Sequence, residues 1–151
     1  MLLLLFRIGD ERYGLDASQV VEVAPRVCLK MIPQAPDYIA GLFDYRGRPV
    51  PVIDLCRLGS AQTCKPCMTT RIIMVDYGQD NDHRRILGLL AEQVTETVKQ
   101  DPKALISSST SIAAMPWLGD FIKDGEGMLQ LIEIDGLLPK TLQTSLFSAT
   151  P

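Results

Sequence analysis

The sequence predicts an all-β protein made of two small barrels packed together. Three observations lead there. About nine or ten short apolar runs, many rich in Val, Ile and Leu, alternate with Gly-, Pro- and Asp-containing turns at the spacing of small sandwiches and barrels. Few stretches are long enough, or periodic enough at 3.6 residues, to make a helix. A segment of small, polar and turn-forming residues from Gly59 to Thr70 divides the runs almost evenly. The chain of 151 residues is long enough for one sound core or two small linked ones, so residues 1–151 are read as one unit of two barrel subdomains with its main linker near 59–70.

Leu2 to Ile8 is a strand whose continuous apolar character fits burial on both faces. Gly9-Asp10-Glu11-Arg12 turns the chain, and Tyr13-Gly14-Leu15 returns. Asp16 has helix-cap chemistry and opens a single turn before the Val-rich strand Val20 to Val23, in which Glu22 points outward or supplies an acidic contact. Pro36 and Asp37 suit the start of a short helix. That segment delivers the chain to its most organised stretch, Ile39 to Leu55, a hairpin turning at Arg46-Gly47, where Gly47 supplies positive φ. Gly41 within its first strand implies a bulge or a close backbone approach. Pro49 and Pro51 cannot donate to a ladder, which predicts a sheet edge, a bulge or donor positions facing away from a neighbour. Asp54 ends the second strand.

Beyond the linker, Arg71 to Tyr77 and Ile86 to Ala91 are strands joined by a polar tip, and Glu92 to Val98 extends the second of them. Lys99 to Ser111 is irregular. Trp117 plugs a core or a rim, Lys123 to Gly127 is a turn, and Met128 to Ile134 is the last strand. Asp135 to Leu138 begins a helical turn that Pro139 interrupts, and the Ser/Thr-rich tail frays.

With 46% hydrophobic residues and a net charge of −3, the chain is globular and lacks the basic field that holds nucleic-acid phosphates. The opening Met1 to Phe6 is too short for a signal core or a membrane span and runs at once into Arg7, which predicts a cytoplasmic protein with no direct membrane insertion. Cys28, Cys56, Cys64 and Cys67 are therefore expected as thiols without structural disulfides. Cys64-Lys65-Pro66-Cys67 has the spacing of a redox pair or half a zinc site. A strand rather than a helix follows it, Cys56 is one further candidate ligand, and His83, the only histidine, lies in a different loop. No nucleophile, base and oxyanion site can be assembled, so no catalysis and no cofactor are expected; a metal or thiol protein using the Cys64/Cys67 loop is the alternative.

The order and spacing of Gly9 to Asp16, Val20 to Val23, Ile32 to Gly41, Tyr45-Arg46-Gly47-Arg48-Pro49-Val50-Pro51-Val52-Ile53-Asp54-Leu55 and Ile86 to Leu90 resemble the CheW family of chemotaxis coupling proteins. This resemblance spans Phe6 to Leu138. It implies two intertwined five-stranded SH3-like β-barrels and a non-catalytic adaptor. Such an adaptor bridges the cytoplasmic tip of a methyl-accepting chemoreceptor and the regulatory domain of a CheA-type histidine kinase. The receptor's helical hairpin docks in a hydrophobic groove between the barrels, and the matching positions are Val20, Glu22, Gly41, Arg46 and Gly47. Pseudo-symmetric barrel packing makes the kinase contact, for which no residues are assigned. Against relatives, the tail reads as shorter and less helical.

Overall fold

The computed structural model describes residues 1–60, 62–80, 83–107 and 115–147. These hold the strands β1 (Leu2–Ile8), β2 (Glu11–Asp16), β3 (Val20–Pro25), β4 (Ile39–Tyr45), β5 (Arg48–Asp54), β6 (Arg71–Asp80), β7 (His83–Lys99), β8 (Leu118–Asp124) and β9 (Gly127–Ile132), with helices α1 (Leu55–Ser60) and α2 (Lys140–Phe147). Part of the polar tip before Arg85, the end of the Ser-rich stretch and the last four residues lie outside the described residues.

Two SH3-like barrels share β7. Residues 83–91 of that strand pair with β6 and residues 92–99 with β1, and the changeover falls beside Gln93, whose φ is 48°. One barrel runs β7, β1, β2, β9, β8; the other runs β3, β6, β7, β5, β4. Both use the same sequence of pairings: antiparallel, antiparallel, parallel, antiparallel. Each is closed by one isolated bridge, Ile106 with Phe121 in the first and Lys30 with Leu42 in the second. The segment near 59–70 thus separates two topological repeats, the first a hairpin followed by three strands and the second a hairpin followed by β8 and β9, with the second half of the long β7 standing for the third strand. Its two sides do not each make a barrel, because the β1–β2 hairpin completes the barrel of β8 and β9 while the β6–β7 hairpin completes that of β3, β4 and β5.

Strand β1 serves two cores, which explains its unbroken apolar run. Leu3 packs with Ile122 and Leu129, while Leu4, Phe6 and Ile8 join the large core around β5, β6 and β7. Trp117 belongs to that large core and is 4% exposed, which decides between core and rim. Its ring lies against Gly59 of α1.

Of the alternatives for Pro49 and Pro51, the structure takes the third: β5 lies between β4 and β7, but only Val52 to Asp54, beyond Pro51, pair with β7, so neither proline faces a β7 acceptor. Two other local expectations need correction. Residues Pro36 and Asp37 form a turn closed by Ile39 N–H to Pro36 C=O (3.0 Å), not a helix. The tail after Pro139 is helical, because a proline before the first full turn leaves the ladder intact: the N–H groups of Leu142 and Gln143 both donate to its carbonyl at 3.0 Å. Phe147 of α2 stacks on Tyr77 with centroids 5.7 Å apart.

Arg12 of β2 grips Asp124 at the end of β8 with two hydrogen bonds of 2.9 and 2.8 Å. That fork holds the Asp124 carboxyl down at about 2. A depressed carboxylate stabilises the fold fully above its unfolded value near 3.9, and the contribution fades as pH falls through about 2. Asp124→Asn is expected to cost about 1 kcal/mol at neutral pH, limited by solvent screening. In urea titrations its deficit against wild type should shrink below about pH 4 and vanish only below about pH 2; a deficit independent of pH would sink this assignment.

Candidate partner-binding surface

The β4–β5 hairpin ends in a two-residue turn closed by the pair Tyr45 and Arg48. Arg46 and Gly47 both have positive φ, 54° and 81°, as the twist of a tight hairpin demands. The turn is locked by Gly47 N–H donating to Asp44 Oδ1 at 2.9 Å. Arginine is an unfavourable residue there; Asn or Gly would carry φ 54° at less cost. The fold holds a strained residue at the tip, and its guanidinium is presented to solvent, 77% exposed.

Glu22 of β3 meets this tip. Its Oε2 accepts a 2.6 Å hydrogen bond from the Tyr45 hydroxyl and faces Arg46 Nη2 at 3.6 Å. Arg46 also lies over the Tyr45 ring, 5.1 Å from its centroid. Tyr45 stacks in turn against Phe43, with centroids 6.3 Å apart. Two of the sequence-derived positions, Glu22 and Arg46, are thus one polar cluster, with Gly47 shaping its turn. Val20 stands apart as a half-buried residue leaning on the large core and paired with Val75.

Gly41 offers no surface of its own. It is buried at a bulge in β4 with φ 145°, and a side chain there would meet the Lys30 carbonyl oxygen at 2.6 Å and Leu29 Cβ at 2.9 Å. Both sequence alternatives, bulge and close approach, are realised. Its place is beneath the site, where it lets the bridge from Lys30 to Leu42 close the barrel.

Sequence reasoning passed over Tyr45 as a contributor, although an aromatic next to the turn arginine was the visible signal. It also passed over Val23 of β3 and Val27 and Met31 after it, apolar residues that are 36%, 42% and 82% exposed. Strand β3 ends the sheet path and is paired only with β6 among the described residues. A charged aromatic tip presented to solvent can fix the register of a bound helix with one charge.

The other candidate chemistry is resolved differently from expectation. Cys56 and Cys64 form a disulfide with Cα atoms 5.2 Å apart, so the expectation of no structural disulfide is corrected, and the Cys64/Cys67 spacing does not mark a redox pair. Loop residues 62–70 fold back over α1, bringing together cysteines that no spacing rule connects. Asp54, beyond ending β5, caps α1 by accepting from Arg57 N–H at 3.1 Å. Cys67 is free and exposed beside the Thr69 and Thr70 hydroxyls, whose hydrogen bonds lower its thiol pKa. Alkylation by iodoacetamide, followed by mass spectrometry across pH, is expected to modify Cys67 at lower pH than an ordinary thiol.

A family model described as CheW-like domain matches residues 2–141. The chain belongs to the CheW family. It is 30% identical to the chemotaxis protein CheW of Klebsiella aerogenes over 142 residues, covering 89% of this chain and 80% of that protein. With the probable chemotaxis protein CheW of Rhizobium etli it shares 28% identity, covering 92% of this chain and 88% of the relative. Among solved structures it is similar to the scaffolding protein TtCheW of Thermoanaerobacter tengcongensis, with a TM-score of 0.75 and 26% identity over 87% of this chain and 82% of the other. The two CheW-family barrels, the shared β7 and the adaptor character implied by the sequence all accord with this membership. The alternative of a metal or thiol protein built on the Cys64/Cys67 loop gains no support from these relatives.

Proposed function

We propose that this chain is a non-catalytic coupling protein of the cytoplasm that binds the tip of a methyl-accepting chemoreceptor and the regulatory domain of a CheA-type histidine kinase at the same time. The observation that carries this reading is the Glu22–Tyr45–Arg46 cluster at the solvent-exposed tip of the β4–β5 hairpin. An amphipathic helical hairpin would present a carboxylate to Arg46, whose fork accepts two oxygens where lysine offers a point charge, and the exposed apolar residues Val23, Val27 and Met31 are offered to its apolar face. Coupling then requires differential binding: two packings of the receptor tip shift the kinase only if the bound adaptor distinguishes them.

Val20, Glu22, Gly41, Arg46 and Gly47 are assigned to the receptor side, Gly41 and Gly47 through backbone shape. Contact with the kinase is assigned to pseudo-symmetric barrel-to-barrel packing, without named residues. No helix among the described residues is long and apolar enough to cross a membrane, and receptor association is assigned to protein contacts alone.

The test is a three-component capture. An immobilised receptor-tip fragment should retain a kinase regulatory domain only when this chain is added. Retention of the chain without the kinase would remove the coupling role, and failure to retain the chain at all would remove the receptor assignment.

A further inference from the structure

The disulfide at the start of α1 is embedded in carboxylates. Cys64 Sγ lies 3.1 Å from Asp54 Oδ1, and Cys56 Sγ lies 3.5 Å from Glu92 Oε1. The second oxygen of each carboxylate is held by the same loop: Asp54 Oδ2 accepts from Cys64 N–H at 3.2 Å and Glu92 Oε2 from Lys65 N–H at 2.9 Å. Asp54, Cys56 and Cys64 are 4%, 2% and 8% exposed, and their ligand atoms all lie within 4.8 Å of one another. These side chains come from three places, the end of β5 with α1, the following loop, and β7 where it passes between barrels.

A disulfide makes no demand for two oriented carboxylates. Two thiolates with two carboxylates are a complete donor set for a thiophilic divalent cation, and the sulfurs select zinc over calcium or magnesium. Zinc–sulfur bonds of about 2.3 Å at tetrahedral angles place two sulfurs about 3.7 Å apart. Ligation therefore requires the sulfurs to separate once the bond between them is broken, and Glu92, which touches Cys56 but lies outside the group of Asp54, Cys56 and Cys64, to close on the same point. The carboxylates are already oriented by backbone N–H groups, the arrangement that supports metal ligands elsewhere.

We propose that the reduced form of this pair is a zinc site, with Cys56, Cys64, Asp54 and Glu92 as its four ligands, and that disulfide and zinc are alternative ways of tying the loop to the junction of the barrels. In the reduction, a dithiol donates two electrons and two protons, the Cys56–Cys64 bond breaks into two thiols, and the dithiol closes to its own disulfide. Zinc binding then releases the two thiol protons to solvent. Cys67 and Cys28 take no part; both are exposed and free. The inference does not depend on the coupling role.

The experiment uses the whole chain, reduced with a phosphine, freed of reductant without air, and titrated with cobalt(II) as a spectroscopic probe. One equivalent should produce a thiolate-to-cobalt charge-transfer band and intense tetrahedral visible bands, and one equivalent of zinc should abolish both. Cys56→Ser and Cys64→Ser should lose the band, Cys28→Ser and Cys67→Ser should keep it, and oxidised wild type should show none. Glu92→Gln, with an unchanged far-ultraviolet spectrum, should weaken cobalt binding by about tenfold or more. The proposal is overturned if reduced wild type, with all four thiols titratable, gives no band. It is equally overturned if the band depends on Cys67, if it survives Cys56→Ser, or if the phosphine leaves the disulfide intact.

Discussion

Gly41→Ala is expected to cost about 3 kcal/mol or more, the largest effect of any single methyl group at the partner-binding surface. Two terms add. An L side chain at φ 145° is strained by about 1–3 kcal/mol. The new Cβ would also stand 2.6 Å from the Lys30 carbonyl oxygen, which belongs to backbone bonded to Leu42 in both directions at 3.0 and 2.7 Å. Backbone cannot rotate away as a side-chain end can, so relief means opening the bridge that closes this barrel. Thermal unfolding should register a loss of roughly 6–12 °C for a chain of this size. Gly47→Ala is the control: it has positive φ but open space around it, and its cost should be about 1 kcal/mol. Equal losses at the two glycines would show that close approach contributes nothing at Gly41.

The second large effect is on binding. Arg46→Glu is expected to slow association with a receptor-tip fragment roughly tenfold or more at low salt, with the difference narrowing as salt screens the charge. Exposure of the Arg46 side chain means the variant should fold as wild type does. The new carboxylate would face Glu22, which adds like-charge repulsion at the same rim. Binding to the kinase regulatory domain should be unaffected. Surface plasmon resonance with both partners at two ionic strengths separates these outcomes: a variant that loses kinase binding as strongly as receptor binding would displace Arg46 from the receptor side.

Local chemistry made much of this legible. The hairpin at Arg46-Gly47 could be read because a turn needing positive φ leaves a glycine, and β1, β3 and β6 because their apolar runs are bounded by turn residues. What escaped was non-local. Nothing in Glu22 or Tyr45 by itself announces a hydrogen bond across 23 positions. Cysteine spacing suggested Cys64 with Cys67, whereas pairing is decided by how the loop returns over α1. The capping role of Asp54 was hidden behind its place at a strand end, and α2 was hidden behind Pro139, which reads as a breaker until one knows that the helix begins after it. Family resemblance implied the intertwining of the barrels; strand periodicity alone placed the linker between them and not between repeats.

The exchange of hairpins also sets a timetable for biosynthesis. The β1–β2 hairpin leaves the ribosome ahead of β3 to β8, yet the strand it pairs with in parallel, β9, emerges after all of them. Until then its Leu3 and Leu5 have no Ile122, Leu129 or Leu131 to cover them. The barrel of β3 to β7 can close before β8 and β9 appear, and the other must wait for both. A nascent protein of this kind carries an uncovered apolar edge until β8 and β9 emerge, which makes that hairpin the natural place for a chaperone to hold and for aggregation to begin.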